Sequence, residues 1–140
     1  MAFTGNYSCN VFKTGILNGS FDFSTDTFYL ALYTNSATLD ASTTEYTPTG
    51  EASGGNYSAG GLPLTVTQTP TTGPSGTTAY ISFGNVSWTG AITARGALIY
   101  KSGSNGAVCV LDFGSDKTST ASFTVQFPSA TNSSAIIRIS

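Results

Sequence analysis

The sequence predicts an all-β protein: an antiparallel two-sheet β-sandwich, Ig-like or jelly-roll-like, with one short N-terminal helix and one long loop insertion. Three observations carry this expectation. Seven segments alternate with a period of two or form short β-branched and aromatic runs. Clusters of Gly, Ser, Thr, Asn and Pro separate them, and only one stretch has helical spacing. The length of 140 residues suits a single domain, 1–140, and suffices for a hydrophobic core without metal or disulfide staples.

Residues 1–20 form an N-terminal arm in which Cys9 to Asn18 is the one candidate helix. Val11, Phe12, Ile16 and Leu17 fall near one face and Asn18-Gly19 is a C-terminal stop. Gly15 weakens the helix, and an irregular arm is the alternative. From Phe28 to Tyr33 the period becomes two, with Phe28, Leu30 and Leu32 on one face and Tyr29, Ala31 and Tyr33 on the other, so both faces are expected to be occupied.

Residues 34–61 contain almost no aliphatic side chains and read as a long polar excursion. Strands resume at Leu62 to Thr67 and Thr78 to Phe83, separated by the turn-rich segment 70–76. Ile92 to Tyr100 and Ala107 to Phe113 form a hairpin about the loop 102–106. The segment 114–120 leads to Ala121 to Phe127, ended by Pro128, and Ala135 to Ile139 is the last strand. No repeat of fixed period points to a solenoid or propeller.

Charge is sparse. Five Lys/Arg and seven Asp/Glu make 9% charged residues, against roughly 25% in an ordinary soluble domain. Phosphate recognition needs several cations on one face, so a nucleic-acid partner is not expected. Low charge also favours association, although a monomer solvated by Ser and Thr hydroxyls is the alternative. The N-terminal sequence Met-Ala-Phe-Thr-Gly-Asn-Tyr-Ser has no basic region or apolar stretch of a secretory signal, and the apolar runs are too short to span a bilayer. A soluble product made inside the cell, without a membrane partner, is the expectation.

There is no histidine, which removes the commonest general base and zinc ligand. Cys9 and Cys109 have no metal or redox spacing. Cys109 lies in the run Ala107 to Leu111 and reads as a small core hydrophobe, with an intrachain or intersubunit disulfide as the alternative. The carboxylate pairs Asp22/Asp26 and Asp112/Asp116 sit beside turn residues. They read as turn caps rather than as an acid–base or calcium site. Asp112-Phe-Gly114 lacks every companion motif of a kinase. No catalytic, cofactor or metal residue is assigned, and no enzyme activity is expected.

The candidate partner-contact residues are Tyr46, Glu51, Tyr57, Trp88 and Arg95, with Glu45 beside them. Long loops in small domains are commonly interaction segments, which places the first three in the excursion 34–61 at the likeliest contact surface; a solvated flap is the alternative. Trp88 reads either as core packing at a sheet end or as an anchor for a ligand or partner. Arg95 alternates into an apolar strand, so it is either paired with a carboxylate or placed at an edge or subunit contact.

In order along the chain, Phe3 to Cys9, Asp26 to Leu39, Gly50-Glu-Ala-Ser-Gly-Gly-Asn-Tyr-Ser-Ala-Gly-Gly61 and Thr93 to Tyr100 resemble a small virion structural protein of tailed bacteriophages. Only the order of these words is specific. The resemblance implies a particle component without catalysis or cofactor, assembled in the host cytoplasm and residing in the virion. A capsid decoration (cement) protein that binds the major capsid protein and self-associates, as a trimer, is the expected form. A tail- or fibre-associated protein that stacks exposed Tyr and Trp on host-surface glycans is the alternative.

Overall fold

A computed structural model describes residues 3–140; the first two residues of the expected arm lie outside it. The protein is all-β and sandwich-like, with one short helix and antiparallel sheets. The elements are β1 (Tyr7–Ser8), α1 (Asn10–Leu17), β2 (Phe28–Tyr33), β3 (Leu62–Pro63), β4 (Val66–Thr71), β5 (Ala79–Phe83), β6 (Val86–Thr89), β7 (Thr93–Lys101), β8 (Ala107–Thr118), β9 (Ser122–Val125) and β10 (Ile137–Ile139). They assemble as a five-stranded sheet in the order β1-β8-β7-β2-β3, a three-stranded sheet β10-β5-β4 and the pair β6-β9.

The inward face of β2 meets the three-stranded sheet through rings. Phe28 stacks on Phe23 with centroids 4.6 Å apart, and both approach Phe83 of β5 at 6.2 Å. Phe12 of α1 closes this cluster edge-on against Phe23. Gly15, expected to weaken the helix, is buried where the Phe21 ring presses on it; a side chain there would lie 2.6 Å from Phe21 Cδ2. Leu17 does not join the apolar face. It is 88% exposed, because five residues beyond Phe12 it has turned about 140° around the helix.

The expected strand from Leu62 to Thr67 is in fact two. Leu62 and Pro63 pair with β2 and Leu64 N–H still donates to Phe28 O, whereas Val66 onward pairs with β5, so the chain crosses between sheets at this point.

The hairpin of β7 and β8 is longer than its sequence suggests. The β6–β9 pair continues its register unchanged: Thr93 faces Thr118 and, four residues on, Thr89 faces Ser122. Together these four strands are one two-stranded ribbon, bent where it passes between sheets. The segment 114–120, expected as a connector, lies mostly inside β8. Between Ala94–Lys117 and Gly96–Asp112, β7 advances two residues while β8 advances five, a bulge that contains Gly114 at φ +85°.

The bend itself is fixed from both sides. Ser119, buried, donates its hydroxyl to Gly90 O at 2.7 Å and accepts from Ile92 N–H at 3.2 Å. On the opposite edge Asn56 N–H donates to Thr89 O at 2.9 Å, and Thr89 N–H donates to Asn56 Oδ1 at 2.8 Å. Gly90, at φ +98°, lies backbone to backbone with Gly55, and a Cβ on it would fall 2.6 Å from Gly55 Cα. Gly90→Ala is therefore expected to cost about 2–4 kcal/mol in urea unfolding. Gly103→Ala has a similar φ of +93° but open space, so it should cost only about 1–2 kcal/mol. Equal costs at the two positions would contradict a clamped bend.

Candidate functional site

The excursion 34–61, expected as a free contact loop, is folded onto the outward face of β2. It contributes Ala37, Leu39 and Ala52 to the buried core. Residues 50–52 pair along the open edge of β2: Thr34 N–H donates to Gly50 O, Tyr33 bridges Glu51, and Ala52 N–H donates to Leu32 O. Tyr46 N–H donates to Asn105 O and Ala107 N–H to Thr44 O, which ties the segment to the β7–β8 turn. Asn10 N–H donates to Ala41 O at the start of α1. With Asn56 at the ribbon bend, the segment is anchored at four places.

Three of the five candidate residues meet at one carboxyl. Glu51 Oε1 accepts from Tyr46 Oη at 2.6 Å, and Oε2 accepts from Tyr57 Oη at 2.5 Å and from Gly60 N–H at 2.7 Å. Tyr57 Oη also accepts from Leu32 N–H at 2.9 Å. That bond fills the gap where residues 53–61 leave the edge of β2, so a side-chain hydroxyl stands in for the missing strand carbonyl.

Tyrosines frame this network. Tyr100 packs between Tyr29 and Tyr46 with centroids 5.8 and 4.9 Å away, and donates to Gly60 O at 2.6 Å. Tyr33, fully buried, donates to Thr47 O at 2.7 Å. Burial first, and the neighbouring Glu51 second, push the phenols up, Tyr100 to about 12 and Tyr33 well above its ordinary range. For Tyr46 and Tyr57 burial and the hydrogen bond to Glu51 act in the same upward direction. These hydroxyls hold their protons and act as donors.

Trp88 lies against Tyr57 at 5.4 Å and is 1% exposed; its Nε1–H has no acceptor among the described residues. Arg95 stands apart from this cluster. Its Nε donates to Asp112 Oδ1 at 3.0 Å across the bulge, an intrachain pair rather than the subunit contact considered from the sequence. The Gly114 N–H and then Arg95 hold the Asp112 carboxyl below the usual carboxylate range. Glu45 is exposed and bridges Gly106 through its backbone.

Asp22 and Asp26 follow the turn reading, whereas Asp116, expected as a turn cap with Asp112, lies inside β8 and its side chain makes no hydrogen bond among the described residues. Asp22 Oδ1 accepts from Ser24 N–H, Asp26 Oδ2 accepts from Asp22 N–H, and Lys101 pairs with Asp26 at 3.2 Å. Asp40, which was not singled out, caps Ser42 and its carboxyl is lowered by those bonds. Both thiols are free and buried; burial, then Asp40, pushes Cys9 up to about 11, and burial raises Cys109 above its ordinary range. No protein-family model, curated protein or solved structure matches the chain.

The Glu51 network makes a distinguishing pair of substitutions. Tyr57→Phe leaves Leu32 N–H without its acceptor and takes one of the two donors from Glu51 Oε2, so two hydrogen bonds are lost and the cost should be about 1–3 kcal/mol in chemical denaturation. Tyr46→Phe removes one bond and should cost less. Above pH of about 10 the unfolded chain releases phenolic protons that the folded chain retains, so stability falls as pH rises. Absorbance at 295 nm from these tyrosines should therefore appear together with loss of near-ultraviolet circular dichroism. A larger penalty for Tyr46→Phe, or phenolate formation in the intact fold, would contradict the assignment.

Proposed function

We propose that the protein is a structural component of a tailed-bacteriophage virion, a capsid decoration protein that docks on the major capsid protein and stabilises the head. The observation that carries this reading is the pre-ordered polar surface of residues 34–61. Their backbone is anchored at four places, while Asn35, Thr38, Thr44, Thr49, Ser53 and Ser58 remain exposed. A surface that is already ordered loses little conformational entropy on docking, so many weak polar contacts can sum to firm attachment across a repetitive lattice. The sparse charge fits a lattice partner better than a polyanion. The ordered words that resemble phage virion proteins point the same way.

Docking in this reading is by a pre-ordered surface rather than by a solvated flap. Tyr46, Glu51 and Tyr57, each half-buried, hold this surface in shape, and the exposed hydroxyl and amide side chains around them supply most of the direct contact.

A tail-located glycan binder is the second reading, and one feature favours it. A groove of about 420 Å³ in the crook of the bent ribbon is lined by Phe113, Phe123, Lys117, Ser122, Thr124 and Gln126, an aromatic wall beside polar groups suited to sugar. Trp88, buried, offers a sugar no face.

Thr38→Arg and Ser53→Arg test the first reading, since both residues are exposed and their side chains make no hydrogen bond among the described residues. The purified protein should cosediment with mature heads in a fixed ratio, and each variant should lose binding by about tenfold or more while keeping the wild-type melting curve. Failure of the wild-type protein to bind heads, or unchanged binding by both variants, would overturn the reading. Glycan binding that is lost on Phe113→Ala would favour the second.

A further inference from the structure

Among the described residues, two large apolar side chains stand in solvent: Leu17, 88% exposed, and Ile139, 52% exposed. They are distant in sequence but line the same groove, of about 620 Å³, between α1 and β10. A second groove of about 300 Å³, floored by Phe21, Phe23 and Ile81, adjoins it. Ile16, Ile137 and Ile139 belong to both, so the two grooves form one surface with an apolar centre. Exposed patches of this kind on an otherwise polar protein mark contact sites.

The charges on this surface are divided between its two ends. Lys13 and Arg138 line the first groove, and Asp22 lines the second. The two ion pairs among the described residues are Arg95–Asp112 and Lys101–Asp26, and Lys13, Arg138 and Asp22 belong to neither. Arg138 donates to Ser133 O, and Asp22 Oδ1 accepts from Ser24 N–H.

An apolar centre with cations at one end and a carboxylate at the other is complementary to itself under a two-fold rotation. The rotation lays apolar side chains on apolar side chains and sets Lys13 and Arg138 against the partner's Asp22, and it does so twice. We propose that this α1–β10 face is a two-fold contact between copies of the chain. The contact buries Leu17 and Ile139, and it differs from the trimer expected from the sequence, because a three-fold contact joins two different patches. It stands apart from the virion reading and is tested without any capsid.

Sedimentation equilibrium over a range of concentrations should give a dimer mass. Leu17→Lys and Ile139→Lys should each raise the dissociation constant about tenfold or more with the melting curve unchanged. Leu17 is so exposed that its replacement leaves the fold intact, so this variant remains informative if others unfold. Lys13→Glu and Asp22→Lys should each weaken the dimer, and an equimolar mixture of the two should recover it, since both charge contacts are then opposite in sign. A wild-type monomer or trimer, a Leu17→Lys protein that dimerises like wild type, or a mixture of folded charge variants that fails to recover would each overturn the proposal.

Discussion

Strand β2 lies in the interior of the protein, and its outer edge has to be paired by a segment that has few large aliphatic residues. Glu51 is what makes this possible. A carboxyl accepting three hydrogen bonds gathers Tyr46, Tyr57 and the Gly60 amide at one point, and the residues between them are drawn down onto the sheet. Buried polar groups of this kind are costly unless every one is satisfied, and here the tyrosine hydroxyls and the backbone satisfy one another. Even the break in the ladder at Leu32 is closed, by the Tyr57 oxygen.

The same segment governs the second large feature, the bent ribbon. Gly54 and Gly55 approach the backbone of the bend closely, and Asn56 pairs with Thr89 in the manner of a neighbouring strand. Glycine at these places admits a contact that any Cβ would obstruct. The bend in turn buries Trp88 beneath Tyr57, so the Glu51 network, the excursion and the ribbon form one connected unit. A surface supported in this way keeps its shape before it meets a partner, and that property suits the docking role proposed for it.

The strands were legible where the hydrophobic pattern was strong. The β2 range matches its alternating run, and the β7–β8 hairpin follows from its apolar strands and glycine-rich turn. The short strands β1 and β6 were missed, because two and four residues give too little periodicity to register. What holds the excursion is not legible in the sequence for a physical reason: hydropathy patterns register burial of carbon, whereas this segment is held largely by hydrogen bonds that depend on tertiary partners. A signal was present in the doublets Gly54-Gly55 and Gly60-Gly61, which flank Tyr57 and mark close backbone approach. For Arg95 the sequence leaves a carboxylate partner and an edge or subunit contact both open, because the bulge that brings Asp112 to it is invisible without the register of β7 and β8.

Residues 34–61 are bonded to the sheet at fixed points rather than hanging from it as a free loop, and native-state hydrogen exchange of single amides tests this most directly. The amides of Leu32, Ala52, Asn56 and Gly60 each donate to a specific partner in the unit described above. They should exchange with protection close to that of the β7–β8 amides, at or near the free energy of global unfolding. Rapid exchange at Ala52, Asn56 and Gly60 while β7 and β8 stay protected would show a segment that opens independently, and would contradict the account.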